Sequence, residues 1–210
     1  MAKKENPPFP RGSTFYDGGT IDTNNLGGLQ WEGTIWEFED VNLTGTTTGA
    51  KAARTNRPVK CMIVRNVGAA AILPKRLVTF QTGGSDGRSI AGKVDGYATT
   101  TAAEGYPVDE WLPAAGCPVN DLCYIVIDGP ATVLSDLAGA ANNVVNVGSV
   151  LVALTAVTSG ATTAGRVAPQ DLTGATALLG NQVQNRIGRA MSARTTANTN
   201  ADILIDVRKW

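Results

Sequence analysis

The sequence predicts an all-β protein, a single antiparallel sandwich or barrel of jelly-roll-like form, and three observations support this fold class. Eight or more short apolar stretches are separated by clusters of glycine, proline and asparagine, the spacing expected of strands and turns. No stretch has a convincing helical period beyond residues 173–184. A parallel α/β fold needs helices between its strands, and the sequence offers almost none.

The composition of residues 1–30 predicts that they form an extended N-terminal arm, which precedes the β domain of residues 31–210. Three prolines between positions 7 and 10 favour extended backbone and forbid helix. Disordered tails are usually poor in aromatic residues, whereas this segment contains three. We therefore expect the arm to dock its rings on a surface, either that of its own domain or that of a neighbour. The aromatic residues of the arm are Phe9, Phe15 and Tyr16.

In the first half of the domain the sequence pattern predicts three strands. Residues 29–43 alternate and carry a tryptophan on each face, which favours a strand covered on both sides. Residues 44–58 have no periodicity and predict a loop. Residues 59–80 predict two strands joined by a turn at residues 66–71.

Residues 81–120 predict a long turn-rich insertion. Its Gly83-Gly84, Asp86-Gly87 and Asp95-Gly96 dipeptides are typical of hairpin turns. A loop of this length in a compact domain usually has a function or is packed by a partner. Trp111 lies within it and is a candidate contact residue.

The second half of the domain predicts further short strands. The stretch "YIVIDGPATVL" first suggests a catalytic carboxylate at the end of a buried strand, but a second apolar stretch follows at once. We therefore predict a hairpin with its turn at Asp128-Gly129. Alternation is clearest near the C-terminus, where Ile203, Ile205 and Val207 share one face. The predicted strands are residues 122–127, 131–134, 147–157, 187–192 and 202–208.

The composition excludes several chemistries. The chain has no histidine, which removes the commonest general base, the Ser-His-Asp and Cys-His pairs, and imidazole-ligated metals. Cys61, Cys117 and Cys123 do not have a standard zinc spacing, and their odd number predicts reduced, buried thiols. We expect no metal and no cofactor.

Charge and hydropathy argue against nucleic acid and membrane as partners. The chain has 18 basic and 18 acidic residues, and its longest apolar stretch, residues 144–157, is interrupted by polar side chains. We expect the N-terminal "MAKKENPP" to be neither signal nor anchor, because it has no apolar core segment. The charged fraction of 17% is low, which suits a protein packed against others, although small β-rich domains often have the same composition.

Carboxylates could still perform acid–base catalysis without histidine. The candidates do not form an obvious pair, because adjacent Asp109 and Glu110 point to opposite faces of a strand, while Glu37 and Glu39 share a face as on a solvated strand. We expect no enzymatic activity. The remaining candidates are Asp40, Asp121 and Asp128.

Four sequence stretches together resemble the capsid decoration, or cement, proteins of tailed bacteriophages. They are "VRNVGAAAILPKRLVTF", "DLCYIVIDGPATVL", "VNVGSVLVAL" and "NRIGRAMSA" followed by "ADILIDVRKW". The resemblance covers roughly residues 59–210. It implies a small barrel or jelly-roll-like domain, often a homotrimer, on the outer surface of the virion. Such proteins are assembled in the host cytoplasm, and their arms reach across neighbouring major capsid subunits. The long insertion and the aromatic arm depart from shorter members of the family.

The resemblance implies a structural protein that binds the major capsid protein and other copies of itself, and it supplies no catalytic residues. We take Phe9, Phe15, Tyr16 and Trp111 as the candidate partner-binding residues, since aromatic side chains commonly anchor interfaces. Removing residues 1–28 would then abolish shell binding and leave the domain folded. The alternative is a carbohydrate-binding or fibre-associated β domain that uses its tryptophans as a stacking platform. These are Trp31, Trp36, Trp111 and Trp210.

Overall fold

The computed structural model describes residues 7–14, 27–42, 52–83, 88–98, 105–135, 145–153, 165–170, 186–194 and 201–207. Within these ranges the protein is almost entirely β, which confirms the predicted fold class. A single 3-10 turn, Leu29–Trp31, is its one helical element, and no described helix has the length and apolarity to cross a membrane. The helical stretch considered at residues 173–184 lies outside the described residues.

The described strands follow one another along the chain with a range of lengths. They are β1 Ile35–Asn42, β2 Ala52–Asn66, β3 Leu77–Gly83, β4 Arg88–Tyr97, β5 Tyr106–Pro107, β6 Leu122–Ser135, β7 Val150–Ala153, β8 Val167–Pro169, β9 Arg186–Ala190 and β10 Ala201–Val207.

Five strands close a barrel. The second half of β6 pairs with β10, which pairs with β9; β9 pairs with β7 and β7 with β8. The ring closes where Val167 of β8 pairs in parallel with Ser135 at the end of β6. As the alternation of the last strand predicts, Ile203, Ile205 and Val207 are buried in the core. Closure leaves these strands without a free edge along the ring.

The first half of β6 belongs to a second layer. It pairs with β2, whose far edge carries β1, while β4 pairs with the end of β2 and β3 lies between β4 and β5. Successive side chains of β6 therefore enter two different cores. Leu122, Tyr124 and Val126 join the cluster that fills the barrel, whereas Cys123 and Ile125 join the cluster under β3 to β5.

The predicted hairpin at Asp128-Gly129 is wrong, because β6 runs through these residues as one continuous strand of 14 residues. Cys61 of β2 faces Val126 and Lys60 faces Asp128, so Ile127 is the extra residue of a β-bulge. Gly129 follows with φ 96°. The bulge lies where β6 leaves β2 and begins to pair with β10, so the strand bends between two layers instead of reversing.

The predicted loops at residues 44–58 and 81–120 are corrected in part. β2 already begins at Ala52, and the supposed insertion contains the end of β3 and all of β4 and β5. Asp95-Gly96 lies inside β4, where Thr79 faces Gly96 and Phe80 faces Val94. Asp95 is therefore a bulge residue and not part of a hairpin turn. The Asp-Gly signal is local, while the pairing with β3 depends on distant residues.

Candidate functional site

The N-terminal segment of residues 7–14 is docked on the folded domain. Phe9 is 2% exposed, and its ring lies 4.7 Å from that of Tyr124, measured between centroids. The hydroxyl of Tyr124 donates a hydrogen bond of 2.8 Å to the carbonyl oxygen of Phe9. Of the two surfaces open to the arm, Phe9 therefore uses its own domain, and its side chain is not presented to a partner.

An ion pair fixes the same segment two residues later. The Arg11 guanidinium donates to one oxygen of Asp109, with Nη2 at 2.9 Å and Nε at 3.2 Å, and Gly12 N–H donates to the other oxygen at 2.8 Å. The side chains of Arg11 and Asp109 are 8% and 0% exposed. Arg11 also lies over the ring of Phe38, 5.9 Å from its centroid. We call Phe38, Asp109, Trp111 and Tyr124 the arm-docking site.

The electrostatics of the arm-docking site suit a structural role. Burial raises the pKa of the Asp109 carboxyl, and Arg11 together with the backbone N–H groups of Gly12 and Trp111 opposes that rise. Both oxygens of Asp109 accept hydrogen bonds from these groups. Removing the arm would leave this buried carboxylate without Arg11, so we no longer expect the domain to tolerate deletion of residues 1–28 unharmed.

A second buried network joins three parts of the chain through Arg54 of β2. Its guanidinium donates to Asp40 of β1 at 2.6 Å and to both carboxylate oxygens of Glu110 at 2.8 Å. It also donates to the hydroxyl of Thr132 on β6 at 2.8 Å. Asp109 and Glu110 thus enter separate networks, with Arg11 and Arg54, although Glu110 lies in a turn and not in the strand that the sequence predicts.

A third arginine fixes the segment that precedes β1. Arg65 pairs with Glu32 and donates to the carbonyl oxygens of Gly27 and Asn120. Its side chain is buried, so the charge depends on these partners. Three arginines therefore each tie one segment of the chain to another.

A groove of about 650 Å³ lies beside the Arg54 network. Half-buried Trp111 lines it together with the Arg54–Glu110 pair, and the ion pair of Lys75 and Asp202 lies at 2.5 Å on its border. We call it the Trp111 groove. Its other lining residues are Leu112, Thr132, Ser192 and Leu204.

Two of the four residues predicted to bind a partner lie in the described part of the chain, at different places. Phe9 is in the core and Trp111 lines the groove, while Phe15 and Tyr16 lie outside the described residues, as does Trp210. Sequence reasoning missed Arg11 and Arg54. The Pro-Arg-Gly sequence in the arm is the one available signal for Arg11, and it does not identify Asp109 as the partner.

Two of the carboxylates considered for catalysis, Asp40 and Glu110, meet at Arg54, which donates hydrogen bonds to both. Glu37 and Glu39 are exposed on β1, and Asp128 lies 3.7 Å from Lys60 at the surface. Among the described residues no three histidine, cysteine, aspartate or glutamate side chains are placed to hold a metal ion.

Comparison with known proteins gives no relative for this chain: no family model, no curated protein and no solved structure matches it.

The buried thiols provide a test of the core. Cys61, Cys117 and Cys123 are all free and buried, and burial raises the pKa of Cys61 from 9.0 to about 12. We expect a thiol-reactive disulfide reagent at pH 8 to label none of them in the folded protein and all three in denaturant. Between pH 9 and 12 the unfolded chain loses the Cys61 proton that the folded chain keeps, so the free energy of unfolding should fall as pH rises. Rapid labelling without denaturant would contradict this packing.

Proposed function

We propose that the protein is a structural virion protein that binds the outer surface of a phage capsid and stabilises the shell by bridging major capsid subunits. One observation supports this over catalysis: the buried carboxylates Asp40, Asp109 and Glu110 are each paired with an arginine from another segment of the chain. Paired in this way, they fix segments in place and are not free to exchange protons with a substrate. The proposal assigns no enzymatic activity and no cofactor.

The surface also favours attachment. Several large apolar side chains are exposed on the described domain, and Trp111 is half-exposed in a groove of mixed polarity. An interface of about 1,600 Å² with a few aromatic anchors suffices for stable attachment. Repetition around a shell would add avidity. The exposed apolar residues are Leu29, Ile35, Val119 and Val147.

The resemblance to decoration proteins favours a homotrimer on the capsid exterior, assembled in the host cytoplasm, with neither nucleic acid nor membrane as a partner. The mechanism is mechanical. A domain that is closed on itself and cross-linked by buried ion pairs resists deformation, so load on one subunit can be passed to the next through the attached domain.

The test is co-sedimentation with phage heads, after the purified protein has been sized. We expect saturable binding to the heads, and we expect Trp111→Ala to weaken it at least 10-fold, as for an aromatic anchor. Thr82→Ala, at an exposed position of β3, a strand that contributes no residue to the groove, is the matched control and should bind as the unaltered protein does. A folded monomer that ignores heads would refute the proposal.

A carbohydrate-binding function is the second candidate, and the Trp111 groove is the observation that favours it. Tryptophan offers a flat apolar surface for a sugar ring, and Thr132 and Ser192 add hydroxyl groups on the walls. A saturable hit on a glycan array that is lost in Trp111→Ala would favour this function over capsid attachment.

A further inference from the structure

The segment of residues 7–14 is held as a peptide ligand is held. Toward the described residues, the Phe9 ring and carbonyl, the Arg11 guanidinium and the Gly12 N–H contact the arm-docking site. Among the described residues its own backbone adds one internal hydrogen bond, from Ser13 N–H to the carbonyl oxygen of Pro10 at 3.4 Å. It also pairs with no described strand of the sheet. Recognition therefore depends on side chains and not on continuity with the fold.

We propose that the arm-docking site is a peptide-recognition site that accepts residues 7–14 of a second copy of this chain as well as its own. The proposal stands apart from capsid attachment and concerns how copies of the chain engage one another. A segment supplied by a neighbour makes the same contacts as the chain's own segment, so exchange loses no interaction energy at the site.

The chemistry of the site defines what it accepts. Phe9 fills a position in the core beside Tyr124, and Arg11 supplies a positive charge to the buried Asp109. Gly12 has φ 85°, and a Cβ atom there would lie 2.8 Å from the carbonyl oxygen of Trp111. Pro10, which lies between Phe9 and Arg11, is exposed. The site therefore selects an aromatic residue, any residue, arginine and glycine in that order.

The length of the chain permits exchange. Twelve residues separate Thr14 from Gly27, and they can span up to about 40 Å when extended. A compact domain of 210 residues has a radius of gyration of about 17 Å, so this reach is comparable with the distance between neighbouring domains in contact. Residues 7–14 of one copy can therefore reach the arm-docking site of a second copy.

The first test uses the full chain with Arg11→Ala, which weakens its own segment and leaves Asp109 in place. A synthetic peptide of residues 1–14 is titrated in, and binding is followed by calorimetry and thermal unfolding. We expect saturable binding and a rise in Tm of about 5–10 °C at 100 times the Kd. The peptide with Pro10→Ala should bind equally well, whereas peptides with Arg11→Ala or Gly12→Val should not. A folded variant that does not bind the unaltered peptide would overturn the proposal.

The second test does not require the variant to fold. A photo-crosslinking amino acid replaces exposed Pro10 in the otherwise unaltered chain, and two differently tagged preparations are mixed, incubated and irradiated. We expect cross-links between the two tags that map near Asp109 and Trp111. Cross-links confined to single chains at every protein concentration used would overturn the proposal. Neither test involves capsids, so failure of capsid attachment would leave both results interpretable.

Discussion

Replacing Asp109 with alanine is expected to lower the free energy of unfolding by about 3–5 kcal/mol, as when one partner is removed from a buried ion pair. The Asp109 side chain is fully buried and Arg11 is 8% exposed, so the guanidinium would lose its counter-charge where water cannot replace it. The backbone N–H groups of Gly12 and Trp111 would lose their acceptor as well. Urea unfolding followed by tryptophan fluorescence measures the change.

The matched control removes both charges together. The double variant Arg11→Met with Asp109→Leu should cost less than Asp109→Ala, because it leaves no buried charge unpaired, while the Gly12 and Trp111 N–H groups lose their acceptor in both variants. If Asp109→Ala costs less than about 1 kcal/mol, in the range of surface pairs, the arm is not anchored through this carboxylate. The proposed peptide-recognition site would then lose its main source of affinity.

The fold class could be predicted from local pattern, and the bends in the strands could not. Alternation in the last strand gave its buried face correctly, because one side of β10 faces the barrel core. The sequence at Asp128-Gly129 produces the same local signal for a hairpin turn and for a bulge. The bulge forms when the residues after the glycine pair with a further strand. That strand is β10, which lies more than 70 residues away in sequence.

The candidate site, too, could be predicted from the sequence only in part. An aromatic arm that docks on a surface could be expected from composition, and Phe9 does so. Arg11 and Asp109 are 98 residues apart, and nothing in either local sequence selects one for the other. Trp111 is a candidate contact residue from sequence because it is a large aromatic residue in a stretch predicted to be a loop. The groove around it depends on β2, β6 and β10, which meet there only through the sheet topology.

Replacing Gly129 with alanine is expected to cost about 2–5 kcal/mol, the sum of two effects. A residue with a Cβ atom pays about 1–2 kcal/mol to adopt the left-handed region that φ 96° requires. The added Cβ would also lie 2.4 Å from the carbonyl oxygen of Pro58, and crowding in a packed interior typically costs about 1–3 kcal/mol. The measurement is again urea unfolding.

Gly96→Ala is the matched control, since nothing lies within 4 Å of a Cβ atom at that position and its φ is not positive. Its effect should stay within about 1 kcal/mol, because alanine there meets no clash and restricts the unfolded chain. A hairpin turn at Asp128-Gly129 would be exposed and largely free of the neighbouring strand, so alanine would then meet no carbonyl of β2. Equal effects of the two substitutions would therefore contradict the bulge, and with it the passage of β6 from β2 to the barrel. A large difference between them would show that the glycine of "YIVIDGPATVL" is needed where two layers share one strand.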